Sequence, residues 1–199
     1  MRFEYRPFAS RSLEATAVKA TSDFGRYSTS HPWALDIERM LDQQNYQIVF
    51  VKSLPDDIEA FCAKSKHIFV RESALDHEPR FRFTLAEEQA HILIHHPQLF
   101  ENGFDSVRDA KLTAGEYRRF ESDAKYLAGA LLMDALRFRQ RFYHHSDSVH
   151  PRTGGSPEAR QRQILRRCAD DFGVAKTCAA RRAHQLQLIK QEVLNSILA

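Results

Sequence analysis

Apolar residues recur at three- and four-residue steps through residues 10–24 (Leu13, Ala17, Val18, Phe24), which predicts a first amphipathic helix. Ser28-Thr-Ser-His-Pro32 breaks that pattern. Leu35, Ile37 and Leu41 predict a second short helix over residues 34–42, behind a proline that suits a first turn. The period then changes. Residues 47–51, 60–63 and 67–71 alternate or run apolar and β-branched, with polar or proline-containing breaks between them, so a small three-stranded sheet is expected.

Residues 84–95 return to the helical period. Leu85, Ala86, Ala90, Leu93 and Ile94 make this helix apolar on more than one side, as a buried helix requires, and Pro97 is expected to end it. A mixed connector over 98–116 leads to a long helix over 116–141, striped by Ala124, Leu127, Ala128, Leu131 and Leu132. The small residues at 124, 128 and 130 allow another helix to approach closely, and the 84–95 helix is the expected partner. Residues 144–157 are rich in Gly, Pro, Ser and His and predict a loop or linker. Beyond it, Ile164, Leu165, Cys168 and Phe172 form one helical stripe. Gly173 makes a turn and residues 175–188 form the next helix, the shape of a helix-turn-helix. The expected organisation is a helical arm (1–30), an α+β domain (31–143), the linker (144–157) and a helical C-terminal subdomain (158–199).

Composition narrows the class. Hydrophobic residues make up 43% of the chain, enough for an ordinary core, yet no apolar run is long enough for a membrane span. The N-terminus lacks the apolar stretch of a signal peptide. Cys62, Cys168 and Cys178 are far apart and without C-x-x-C spacing, which argues against a cysteine-based zinc site and for a reducing compartment, the cytoplasm. The net charge is only +3, but residues 135–167 concentrate arginine (among them Arg137, Arg139, Arg141, Arg166 and Arg167). Such a cluster suits nucleic acid or an acidic protein surface, or is simply a solvated helix face.

The densest chemistry lies at Glu87-Glu88-Gln89-Ala90-His91. Four helical residues advance by about 400° and roughly 6 Å, so Glu87 and His91 project from nearly the same face. A zinc-peptidase helix of the H-E-x-x-H type uses this spacing, with its glutamate beside the first ligand as general base. Here Glu87 stands at the first ligand position and Glu88 at that of the base. Read more plainly, Thr84-Leu-Ala-Glu87 is a capping box and Glu88 belongs to a solvated face. His95 and His96 are expected to close the last turn of this helix, and His144, His145 and His150 to lie in the loop.

Arg82-Phe-Thr-Leu-Ala, then Glu-Glu-x-x-His, then Ile-Leu-Ile-His95 resembles the ImmA/IrrE (DUF955) metallopeptidase family, whose signature is R-F-T-L-A-H-E-x-G-H followed by x-x-L-H. Glu121-Ser-Asp-Ala-Lys-Tyr-Leu-Ala128-Gly-Ala-Leu-Leu-Met133 is similar to that family's E-x-E-A-N-x-F-A-A-x-L-L-M-P helix, which supplies the third metal ligand. The resemblance runs loosely over residues 32–189. It departs at Glu87 (for His), Ala90 (for Gly), Asp123 (for Glu) and Asp134 (for Pro).

The resemblance implies a zincin-like pair of helices packed on the sheet. It also implies metal ligands Glu87, His91 and Glu121, with Asp123 as the alternative, and Glu88 as base. Glu121 is preferred because it shares a face with Ala124, Ala128 and Leu131. One imidazole and two carboxylates can hold zinc, the ion expected first, and also suit manganese or iron. The implied activity is site-specific cleavage of a regulatory protein, such as a helix-turn-helix repressor governing a stress response or a mobile element. The other reading is a non-catalytic regulator that binds a protein partner or DNA. In that case Lys176, Arg181 and Arg182 on the second C-terminal helix would make the contacts.

Overall fold

The computed structural model describes residues 5–24, 31–55, 58–104, 110–149 and 156–198. Helix α1 (Ser10–Asp23) buries Leu13, Ala17 and Ala20. Asp36 accepts the Arg39 N–H and caps α2 (Ile37–Gln43), which starts three residues later than the apolar pattern suggested. The sheet follows as β1 (Gln47–Val51), β2 (Ala60–Cys62) and β3 (His67–Arg71), in the order β1-β3-β2. β1 runs parallel to β3, with Ile48 opposite Ile68, while β2 runs antiparallel to β3, with Phe61 opposite Phe69. Ile68 and Val70 alternate inward and are fully buried, as period-two patterning requires.

The arrangement is α+β, mostly helical with one small mixed sheet. A 3-10 turn (Glu72–Asp76) leads into α3 (Glu78–Ala90). That start lies well before the expected one at residue 84. His77 accepts the Arg80 N–H, Glu78 sits in the first turn and Pro79 occupies the position where a missing N–H costs nothing. Thr84 is therefore interior, its hydroxyl bonded to Glu59, and the capping box expected at Thr84–Glu87 does not form. The box lies at Thr113–Glu116 instead, opening α5 (Ala114–Leu132). Pro97 does not end the chain of helices but opens α4 (His96–Glu101).

The long helix expected over 116–141 is two helices. α5 stops at Leu132, and Asp134 accepts the Arg137 N–H to start α6 (Ala135–Ser148). Because α6 continues to Ser148, residues 144–148 are helical rather than part of a linker; residues 150–155 lie outside the described segments. His145 is consequently buried, with its Nε2 2.6 Å from Asp171 Oδ2. His150 is outside the described residues.

α7 (Pro157–Phe172), α8 (Lys176–Gln185) and α9 (Gln191–Leu198) complete the fold. Gly173 joins α7 to α8 at φ +60°, and a Cβ there would come within 3.0 Å of the His31 ring and 3.3 Å of Arg82 Nε. The backbone conformation and the crowding both demand glycine. The buried Arg82 donates to the carbonyls of Gly173 and Leu35, stitching α3 to the C-terminal turn and to the approach to α2.

A second buried arginine corrects a functional expectation. Arg182 is 1% exposed; it donates to both Glu14 oxygens (2.6 and 2.9 Å) and to the Met133 carbonyl. A guanidinium committed inside the molecule cannot reach DNA. It ties α8 to α1 and to the end of α5, so the N-terminal helix is part of the packed body rather than a free arm.

Burial works to raise the Glu14 pKa, but hydrogen bonds and charge from Arg182, with the Tyr126 hydroxyl, outweigh it and hold the pKa below its ordinary value. Removing one partner of such a pair strands the other charge, at a cost of about 3 kcal/mol. Glu14→Ala should show that loss in urea unfolding near neutral pH. A folded-state acid held low contributes stability above the unfolded value near 4.5 and loses it as pH falls through its depressed folded value. The difference between wild type and variant should shrink on acidification; a gap that stayed constant would remove the ion pair as its cause.

Candidate metal centre

α3 and α5 pack against each other, and Ala86 and Ala90 of the one and Ala124 and Ala128 of the other are fully buried in the same core. Alanines at the crossing let the two backbones approach, which brings side chains one turn along into reach of the opposite helix. After Ala90 the helix widens into a π turn (His91–His95), a feature often found where a side chain must be re-aimed.

Glu87, His91 and Glu121 converge here. A ligand atom from each lies within 4.8 Å of those of the other two. His91 Nε2 is 3.8 Å from Glu121 Oε1. The Lys125 ammonium sits 3.7 Å from Glu87 Oε1 and 3.9 Å from Glu121 Oε2. Glu88 points one step around the helix, is buried, and accepts a backbone hydrogen bond from Cys62. That N–H belongs to the free edge of β2. Glu59 O and Ala63 N bond to β3, so Ala60 and Cys62 turn their backbone groups the other way.

Asp123, the alternative third ligand, is engaged elsewhere. It accepts the Tyr5 hydroxyl (2.5 Å) and the Phe8 N–H (2.9 Å). His95 does end the π turn, but as a fully buried ring stacked on Phe120 rather than a solvated imidazole on the helix dipole. Of the C-terminal residues singled out from sequence, Lys176 and Arg181 are exposed, and Arg181 lines a groove of about 880 Å3 that also holds Glu121, Lys125, Tyr117 and Arg118. A smaller groove of about 510 Å3, sharing Phe83 and Cys178 with the first, reaches Glu87 from the other side.

Sequence reasoning missed Lys125, Tyr5 and the part played by His95. Lys125 was discoverable: it stands four residues after Glu121, where helical neighbours meet. Tyr5 lies 118 residues from Asp123 and left no local signal.

The electrostatics of this cluster follow from its dryness. Burial pushes Glu87 up to about 7, with Lys125 opposing and the Glu121 charge adding. Burial pushes Glu88 up to about 8, reinforced by the charges of Glu87 and Glu121 and opposed by the Cys62 N–H. Glu121 is likewise raised by burial, against Lys125. His91 is driven down to about 3 by burial, with His96 and Lys125 adding, so it presents a neutral imidazole. One neutral nitrogen and two carboxylates, crowded and short of positive charge, fit a divalent cation. The oxygen-rich donor set suits manganese or iron as well as zinc.

The family model described as Peptidase_M78, IrrE N-terminal-like domain, matches residues 41–184. No curated protein matches the sequence. Among solved structures, a Mycobacterium tuberculosis transcriptional regulator aligns over 86% of this chain and 46% of its own length, with a TM-score of 0.53 and 16% identity. The present chain thus spans about half of that protein, and the likeness at this identity is one of fold.

Ion binding requires carboxylates without their protons, so affinity for zinc or manganese should fall as pH drops from about 8 towards 6, with proton release on binding. Calorimetry in buffers of different ionisation enthalpy would read both. In metal-free protein the raised acids act oppositely to Glu14: their stabilisation is full below about 4.5 and is lost as pH rises through 7 to 8. Metal should reverse that loss. A metal-free protein of constant stability across this range would refute the electrostatic picture.

Proposed function

Because the chain belongs to the Peptidase_M78 family of IrrE N-terminal-like domains, we propose that it is a metal-dependent endopeptidase acting in the cytoplasm on a regulatory protein. A helix-turn-helix repressor of a stress response or mobile element is the expected substrate. The observation that carries this reading is the meeting of Glu87, His91 and Glu121 beside a buried Glu88. Those three side chains would hold the ion, with zinc preferred and manganese or iron as alternatives. When bound, a divalent ion there supplies Lewis acidity and makes hydroxide accessible near neutral pH.

The chain's own residues supply the rest. Glu88 lies within the electrostatic reach of Glu87 and Glu121, and its raised pKa equips it to accept and return a proton near neutral pH. The outward N–H and carbonyl of Ala60, with the Cys62 carbonyl, offer an extended peptide a short stretch of sheet pairing, the Cys62 N–H being held by Glu88. Phe83 and Tyr117 line the flanking grooves, and the exposed Arg118 and Arg181 favour acidic side chains on the bound segment. Among the described residues no helix is long and apolar enough to cross a membrane.

Lys125 favours a second reading. In the family pattern the positions of Glu87 and Lys125 carry His and Asn, a neutral pair; here they form an ion pair. An ammonium between Glu87 and Glu121 supplies positive charge without metal, as a non-catalytic regulator that binds protein or DNA would need. DNA contact would then fall to Lys176 and Arg181, without Arg182.

Elemental analysis of untagged protein decides between them. The peptidase should carry about one equivalent of metal, lost in His91→Ala and Glu121→Ala. Glu87→His should tighten zinc binding roughly tenfold or more, since it restores the second imidazole. Glu88→Gln should keep metal and fold while cleavage of a repressor substrate falls by at least about 100-fold. Protein that takes up no ion when each is added back is the regulator.

A further inference from the structure

Behind His91 runs a buried chain of hydrogen bonds whose directions can be assigned link by link. His91 Nδ1 lies 2.8 Å from His95 Nδ1, His95 Nε2 lies 3.1 Å from the Tyr5 hydroxyl, and that hydroxyl lies 2.5 Å from Asp123 Oδ2. The Phe8 N–H donates to the same Asp123 oxygen at 2.9 Å. Phe120 covers the chain, stacked on His95 with Tyr5 edge-on to it.

A carboxylate can only accept, so Tyr5 must spend its single proton on Asp123. The Tyr5 oxygen is then an acceptor for His95, whose proton must be on Nε2. A neutral His95 protonated at Nε2 has a lone pair at Nδ1. The bond between the two Nδ1 atoms therefore takes its proton from His91. That leaves His91 Nε2 bare, the nitrogen that faces Glu121. Reversing the chain would put two oxygen lone pairs face to face at 2.5 Å.

We infer that Asp123, through Tyr5 and His95, sets the tautomer of His91 and keeps its Nε2 lone pair open for a metal ion. Asp123, Tyr5 and His95 are positioning residues, acting on an ion only through His91. The π turn has a task in this: it places His95 Nδ1 against His91 Nδ1 within one widened turn. The inference rests on the proposed metal site only in what the lone pair is for; the tautomer is a property of metal-free protein.

The test is nitrogen-15 NMR of the His91 ring in metal-free protein near neutral pH, before any ion is added. Wild type should show Nδ1 protonated and Nε2 bare. In Asp123→Ala, Tyr5 is free to donate to His95, the chain reverses, and His91 should carry its proton on Nε2. Asp123→Asn keeps an oxygen acceptor and should keep the wild-type tautomer. Should Asp123→Ala fail to fold, Tyr5→Phe removes the link at a smaller steric change, and a mixture of tautomers is expected. Zinc titration should follow, with roughly 10- to 100-fold weaker binding in Asp123→Ala and near wild-type binding in Asp123→Asn.

A purely structural role for Asp123 would move stability and leave the tautomer alone. A proton on Nε2 in wild type, or one tautomer shared by wild type and Asp123→Ala, overturns the inference. Failure of every variant and wild type to bind zinc, with the tautomers as expected, would count against the metal site and leave the relay standing.

Discussion

The close crossing of α3 and α5 is the constraint on which the rest depends. Ala86 and Ala90 on α3 and Ala124 and Ala128 on α5 are fully buried, and side chains this small allow the two backbones to come close. Larger side chains would force the helices apart or into strained rotamers, at about 1–3 kcal/mol for each overpacked position. The chemical loss would exceed the energetic one. Glu121 reaches Glu87 and His91 only because the helices touch, and a separation of an ångström would dissolve a cluster whose ligand atoms lie within 4.8 Å. The small residues and the acids are thus parts of one device, the first setting the gap and the second filling it.

Charge is handled in two ways. Where an acid must stay charged, as Glu14 must, an arginine lies buried with it. Around His91 the opposite holds: three acids are drawn into a largely buried region, Lys125 lies beside Glu87 and Glu121, and burial outweighs that lysine for both. An arrangement that is costly when empty of positive charge is stable when a cation is supplied. This is why the same geometry supports a metal site and lends some weight to Lys125 as a substitute.

Much of the fold was legible because it is written locally. Alternation at Ile68 and Val70 and the stripe of α5 gave the sheet and the helix that holds Glu121, and four-residue spacing put Glu87 beside His91. Boundaries were read less well where two start signals competed: His77, Glu78 and Pro79 began α3 before Thr84 could, and Asp134 divided one expected helix into two. What could not be read was non-local. Arg182 looked like one of a run of surface cations, and only the approach of Glu14, 168 residues away, shows it to be interior. The Asp123–Tyr5–His95 chain is hidden for the same reason, since its members lie in three separate parts of the sequence.

Sheet edges invite unwanted company. A strand with unpaired backbone groups is a template for any extended chain, and proteins commonly guard such edges with inward-pointing charge. β2 is an edge of this kind, kept to Ala60–Cys62 and overlooked by Glu88 at Cys62. The carboxyl group beside that edge already holds the Cys62 N–H, which closes that end of β2 to a further strand. Short and partly closed, the edge offers other chains of its own kind little to pair with, and the guard is a glutamate that lies beside the candidate metal centre.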